Sequence, residues 1–351
     1  MNLPENELQK LESIADVEQL EELLSRPTAE VIDTMGRLEG DLLVLGACGK
    51  IGPTLARMAR RASDEADNSR RVIAVDKLVP PKMRKRFESQ GIELICADLL
   101  ERKDLDALPE VPNVVYMAAM KFGSSGREET TWAMNTHLAG LVCERFWRSR
   151  IVAYSTGNVY KMVPVDSGGA KEGDPLGPIG EYAMSCLGRE RMVTYFSRTL
   201  DIPAALIRLN YANELRYGVL TDIVLKVLAG EPIDLVTGHF NAIWQGDANA
   251  MLLRALEHVA TPPLVVNVAG PDTLSVRRVA EEFSQLLDKP VTFTGSESPD
   301  ALLSNGQRGH KLLGHPRVGR EQMIRWVADW HRRGGPTLGK PTKFQVRDGE
   351  F

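Results

Sequence analysis

Residues 41–62, DLLVLGACGKIGPTLARMARRA, leave little choice of fold. Four apolar residues read as a strand, and glycines at 46, 49 and 52 lead into a segment with apolar positions at helical spacing. Gly46 permits a tight exit from the strand, Gly49 lets bare backbone approach a pyrophosphate, and Gly52 lets helix and sheet pack closely. The helix start then presents its N–H groups to phosphate, and Pro53 suits a first turn where a missing donor costs little. Asp76 ends the next strand, where a carboxylate can accept from ribose hydroxyls. Together these features predict dinucleotide binding. An acid at 76 would repel a 2′-phosphate, so NAD is expected over NADP.

Beyond residue 41, short apolar runs alternate with amphipathic segments. LLVLG (42–46), RVIAVD (71–76), IELICAD (92–98), NVVYMAA (113–119), IVAYST (151–156) and AALIRL (204–209) read as strands. Helical stretches separate most of them, notably 126–149 and 181–200. This pattern predicts an α/β fold, a Rossmann-type doubly wound parallel sheet covered on both faces. The expected organisation is a helical N-terminal extension (1–40), an NAD-binding domain (41–210), a smaller substrate-binding region interleaved with the sheet (211–335) and a tail (336–351). In the smaller region helices are expected near 219–229, 247–260, 275–288 and 320–333, with the strand LVVNVA (264–269). In the extension Leu8, Leu11, Ile14, Val17, Leu20 and Leu24 fall near a helical period and Pro27 permits a second start, so a packing or oligomerising hairpin is expected. The tail, rich in turn formers, is expected to wrap the surface.

Composition narrows the partners. A chain of 351 residues with net charge −4 and 43% hydrophobic residues is ordinary for a globular protein and gives no reason to expect nucleic acid or anionic membrane. No apolar run approaches the ~20 residues that span a bilayer, and a cytoplasmic protein is expected. Cys48, Cys96, Cys143 and Cys186 lack paired spacing, and His137, His258, His310 and His315 have no ligand spacing with acids or cysteines, so no metal is expected. The charge is uneven, because residues 1–40 hold ten acidic and three basic residues. KMRKRF (82–87) reads as a solvated basic face.

Further motifs follow the glycines in order: CADL (96–99), YMAAMKFG (116–123), AMNTHLAG (133–140), YSTGNVY (154–160), EGDPLGPIGEYAMSC (172–186), IRLNY (207–211), IWQGDANAMLLRAL (243–256) and KLLGHPRV (311–318). Together they resemble the extended short-chain dehydrogenase/reductase family, the NAD-dependent epimerase/dehydratase group, over residues 41–333. The resemblance implies cofactor contacts from Gly46, Gly49, Lys50, Ile51, Gly52, Asp76, Asp98, Leu99, Ala118, Ala119, Lys121 and Tyr182. It implies an active site of Thr156 and Tyr182 supported by Asn135, and a homodimer in which the 132–147 helix meets its twin.

In that family a tyrosine hydroxyl exchanges a proton with a substrate alcohol. A free tyrosine, with a pKa of about 10, is a poor base at neutral pH unless positive charge stabilises its phenolate. The family supplies that charge from a lysine four residues on, and here the fourth residue is Cys186. Another cation could substitute, with Arg189 two turns along the helix and Lys161 in a nearby loop as candidates. The oxidised nicotinamide would add charge of its own. Alternatively the chain is a non-catalytic or weakly active NAD-binding sensor or scaffold, or Cys186 is itself chemical. Retained proton chemistry ranks first.

The expected activity is an NAD-dependent oxidoreductase or epimerase acting on a secondary alcohol of a sugar or sugar acid. Relatives acting on nucleotide sugars often carry an arginine seven residues before the aspartate matching Asp247. Here that position is Phe240, which weakens a nucleoside diphosphate assignment. Arg208, Asn210, Asn213 and Arg216 are candidate substrate contacts, and Arg208 also reads as a structural ion-pair partner.

Overall fold

A computed structural model of the chain describes residues 5–121, 123 and 126–350. Residues 1–4 of the expected extension and residue 351 of the tail lie outside them.

Seven strands form one parallel sheet: β1 (Leu42–Leu45), β2 (Val72–Asp76), β3 (Glu93–Cys96), β4 (Asn113–Tyr116), β5 (Arg150–Thr156), β6 (Ala204–Leu209) and β7 (Leu264–Val268). Their order is β3-β2-β1-β4-β5-β6-β7. Leu45 pairs with Val75 on one side and Tyr116 on the other, so β1, β2 and β4 end level. The chain moves outward in opposite directions from β1 and β4, which opens a crevice at their C-terminal ends where ligands of such sheets bind. All four residues of β1 are buried, as helices on both faces require. The helix Gly52–Glu65 closes one face with Leu55, Met58 and Ala59, all fully buried. Each fully buried Leu or Met side chain contributes about 1.5–3 kcal/mol.

The strand expected within the C-terminal region joins the main sheet as β7, paired with β6 from Leu264–Ala205 to Val268–Leu209. The stretch expected as one helix over 126–149 runs from Glu128 to Arg145 and widens to a π-helical turn at Ala133–His137. Such bulges cluster at functional sites.

The N-terminal extension has three helices, Glu5–Lys10, Val17–Leu24 and Ala29–Arg37. The continuous apolar period is broken because Asp16 caps a new helix, its Oδ1 accepting from the Gln19 N–H at 2.9 Å. Leu11 and Ile14 therefore lie in a connection, where Leu11 O accepts from Trp326 Nε1 at 2.8 Å. The acidic excess of this extension has a destination. Glu22 pairs with Arg57 and Arg61, and Glu21 pairs with Arg86 and Arg216. Arg86 belongs to the basic run read as a solvated face; instead it turns inward to Glu21. Among the described residues no helix is long and apolar enough to cross a membrane.

Candidate active site

The glycine turn is built for a ligand. Gly46 has φ +85°, and a Cβ there would lie 2.6 Å from the Ala118 backbone. A Cβ on Gly52 would strike the Ala47 carbonyl. These two glycines are demanded by the chain's own packing. Gly49 is different: its Cβ position meets only Gly46 O, at an ordinary 3.5 Å, and the residue is exposed. Bare backbone at a helix start, with nothing of the protein filling the space, fits the approach of a diphosphate. Asp76 is held to the same turn, its Oδ2 accepting from the Cys48 N–H at 2.9 Å. Asp98 lies one strand further out, paired with Lys77 at 2.5 Å, and Leu99 beside it is buried.

Across the crevice Thr156 ends β5 and Tyr182 opens the helix Gly180–Leu200. The Tyr182, Thr156 and Cys186 side chains line the same cavity, close enough for Thr156 and Cys186 to influence the Tyr182 hydroxyl. Burial pushes the phenol well above its ordinary value of 10, Cys186 adds to the rise, and Thr156 and Arg189 oppose it. Burial likewise raises the Cys186 thiol, so it is uncharged at neutral pH.

Arg189 is fully buried and donates to Ala118 O (2.7 Å), Tyr154 O (2.9 Å) and Asn135 O (3.1 Å). It thereby ties the strand ends together, and its charge reaches Tyr182 and Cys186 through space. Asn135, in the π-turn, accepts from the Met120 N–H and donates to Met120 O, both at 2.9 Å. It also donates to Ser185 Oγ at 2.9 Å. Asn135 thus pins the loop after β4, which carries Lys121. The Lys121 ammonium lies 5.7 Å from the Tyr182 ring centroid. Burial lowers it to about 8, with Cys186 and Asp222 opposing.

Thr156, Tyr182, Cys186, Arg189 and Lys121 line one cavity of about 590 Å³, which also takes in Gly46, Gly49, Ile51 and Ala119, whereas Asn135, Gly52, Asp76, Asp98, Leu99 and Ala118 lie outside its lining. Its charges are lopsided: Lys50, Arg86, Lys121, Arg189, Arg216 and Lys340 face a single carboxylate, Glu21, among the described lining residues. Glu21 is bonded to Arg86 at 2.8 Å and Arg216 at 3.0 Å. Lys50 stacks on the Tyr217 ring, 3.2 Å from its centroid, and burial together with Lys121 lowers it to about 7. Glu21, Lys340 and Tyr217 escaped sequence reading. Only a basic residue between two motif glycines, Lys50, signalled anything locally.

The candidate substrate contacts are spread out. Asn210 lines the cavity and donates weakly to Asn241 Oδ1 at 3.4 Å. Arg216 lines it while bound to Glu214 and Glu21. Arg208 lies outside the lining, buried against Glu190 at 2.7 Å. Asn213 is also outside, its Oδ1 accepting from the Leu220 N–H at the start of the next helix. Lys161 is exposed, its stem lying over Gly177, away from the lining.

The sequence profile of the NAD dependent epimerase/dehydratase family matches residues 42–269. Several solved structures share the fold. MoeE5, in complex with UDP-glucose and NAD, superposes with a TM-score of 0.69 at 21% identity, covering 84% of this chain and 99% of that one. DesIV, the dTDP-glucose 4,6-dehydratase of Streptomyces venezuelae with NAD and TYD bound, gives 0.70 at 19%, covering 84% and 97%. The UDP-glucose 4-epimerase of Thermotoga maritima gives 0.67 at 17%, covering 84% and 99%. Compared with curated protein sequences, the chain has no significant match.

Proposed function

The chain belongs to the NAD-dependent epimerase/dehydratase family, and on that premise we propose that it is an NAD-dependent oxidoreductase acting on a secondary alcohol of a sugar or sugar acid. The observation that carries this reading is the meeting, in one cavity, of the bare Gly49 turn with the Tyr182 and Thr156 side chains. NAD, present in the MoeE5 and DesIV structures, supplies two-electron redox chemistry when bound. The turn from Gly46 to Gly52 and the helix behind it hold the diphosphate, Asp76 holds a ribose and disfavours a 2′-phosphate, and Asp98 and Leu99 border the adenine. Ala118 and Ala119 flank the cofactor's path. Tyr182 Oη takes the alcohol proton in one direction and returns it in the other, while Thr156 Oγ1 holds the reacting oxygen. Lys121, rather than a residue at 186, supplies the positive charge the phenolate needs. Asn135 is a positioning residue, acting through the loop that carries Lys121. The exposed Trp132, Met184 and Tyr195 on the flanking helices fit a homodimer face.

A second reading is a non-catalytic NAD-binding sensor. The observation favouring it is the Tyr182 hydroxyl, which burial holds protonated and uncharged at neutral pH while Cys186 brings no cation. Titration with NAD, followed by NADH absorbance and product stereochemistry on sugar acids, separates the two. Binding with turnover supports the first reading and binding without any turnover the second. No binding defeats both.

Two further outcomes test the cofactor site. Gly49→Ala should fold with an unchanged melting temperature yet bind NAD at least about tenfold more weakly, because the methyl occupies ligand space. Gly46→Ala should instead lose stability, about 1–3 kcal/mol from its backbone conformation alone. If Gly49→Ala binds NAD like the parent, the diphosphate is not held at this turn. NAD affinity should also fall as pH rises through 7 to 8, since Lys50 and Lys121 are charged below about 7 and about 8 and lose that charge above. Equal dissociation constants at about pH 6 and 9 would remove both lysines from the phosphate contacts.

A further inference from the structure

The cavity ends against a segment that sequence reading left on the surface. Residues 337–350 run across the outer side of the crevice as a strap. Leu338 N–H donates to Arg216 O at 3.0 Å. Thr342 donates to Asp222 Oδ2 from its N–H at 2.8 Å and from its Oγ1 at 2.5 Å. Phe344 is buried beside Phe240 with ring centroids 6.1 Å apart, and Arg347 pairs with Asp300 at 2.5 Å. Gly349 lies so close to the Ile179 carbonyl, at the head of the Tyr182 helix, that no Cβ would fit. Anchored at both ends and along its length, the strap is a wall of the site. It brings Leu338, Lys340 and Thr342 into the lining.

The wall limits size. Between the strap and the residues behind it, among Asn158, Tyr160, Tyr211 and Phe344, a cavity of about 40 Å³ remains. That is room for one or two waters. Its surroundings are mostly apolar, and Arg347, at that end, is bound to Asp300. Neither the volume nor the charge there suits a nucleoside diphosphate.

The wall also adds charge. Lys340 lines the cavity while remaining exposed, and its charge acts on Lys50. Among the described residues, neither lysine has a carboxylate within ion-pair distance. A dinucleotide's diphosphate brings two negative charges, which leaves this lining still positive. The remaining positive charge favours a second anion beside the cofactor.

We propose that the site takes a free sugar acid, a polyhydroxylated carboxylate without a nucleotide, whose carboxylate is held by Lys340 of the strap opposite Lys50. The proposal rests on the reading of this cavity as an NAD-dependent oxidoreductase site and narrows its substrate. Lys340 is the residue that distinguishes the acid from the neutral sugar, and the strap excludes the nucleotide-linked form.

The test is calorimetric titration of the full-length, NAD-loaded protein with D-glucuronate, D-galacturonate, D-glucose and UDP-glucuronic acid. One of the free acids should bind at least tenfold more tightly than D-glucose, and UDP-glucuronic acid should neither bind nor compete. Lys340→Gln should remove the acid's advantage over D-glucose, and Lys340→Arg should retain most of it. Binding of UDP-glucuronic acid as tight as that of the free acids overturns the proposal. So does a Lys340→Gln protein that keeps the full preference, and so does an NAD-loaded protein that binds neither free acid. Failure to load with NAD at all instead overturns the reading beneath it, so the first titration tells the two failures apart.

Discussion

Arg208→Met should lower unfolding free energy by about 3–5 kcal/mol, the range for stranding one member of a buried ion pair. The side chains of Arg208 and Glu190 are 5% and 4% exposed. Glu190 accepts from Arg208 Nε at 2.9 Å and Nη2 at 2.7 Å, and from Ser155 Oγ at 2.5 Å. Arg208 Nη1 also donates to the Tyr160 hydroxyl at 2.8 Å, which in turn donates to Asn267 Oδ1 at 2.7 Å. The network therefore links β5, β6, β7 and the Tyr182 helix beneath the active-site crevice. Methionine fills the volume but leaves a carboxylate in a dry interior with only a serine hydroxyl. The double variant Arg208→Met/Glu190→Gln, which removes that charge, should recover at least about 1 kcal/mol of the loss. Urea midpoints at constant m-value read both quantities. A single-variant shift below about 1 kcal/mol would mean that water reaches Glu190 and that the network is not buried in solution.

What could be read in advance follows from how local each signal is. Gly46, Gly49 and Gly52 span the turn from β1 into its helix and Asp76 ends the adjacent β2, a fixed geometric relation, so their spacing alone located the crevice. The strands of the sheet were legible for the same reason, because burial on both faces writes itself as uninterrupted Val, Ile and Leu. The helix spanning Gly180–Leu200 placed Tyr182 and Cys186 one turn apart, which made a missing cation visible. The cation we propose in its place was not visible. Lys121 lies on the loop after β4 with its ammonium 5.7 Å from the Tyr182 ring centroid, and Arg189, the neighbour on the helix, is bonded to Ala118, Tyr154 and Asn135 oxygens. The acidic excess of the extension was countable, but its delivery of Glu21 to a cavity rim depends on Arg86 and Arg216, which are far apart in the chain. The strap had still less to read. Its hydrogen bonds to Arg216 and Asp222 and the burial of Phe344 leave no period, because an irregular segment is fixed by what it lies on.

Tyr182→Phe should lower turnover by about 10²–10⁴-fold on any sugar acid the parent protein converts, the usual contribution of a positioned acid–base group. The ring remains, so NAD affinity should change far less than kcat. Lys121→Met should cost roughly 10²-fold for a different reason: the phenol stays in place, but burial holds it protonated once the nearby charge is gone. The two variants separate on pH dependence. With Lys121 present, its charge is available below about 8 and lost above, so the parent's kcat should fall on the alkaline side of that value. Lys121→Met should lack this limb, and Lys121→Arg, which stays charged, should keep activity to higher pH. Cys186→Lys in the Lys121→Met background restores a cation one helical turn from the phenol and should recover at least about tenfold. If Lys121→Met retains full kcat with an unaltered pH profile, Lys121 does not serve the phenolate. Arg189, already within electrostatic reach of Tyr182, would then be left as the cation in the protein that does.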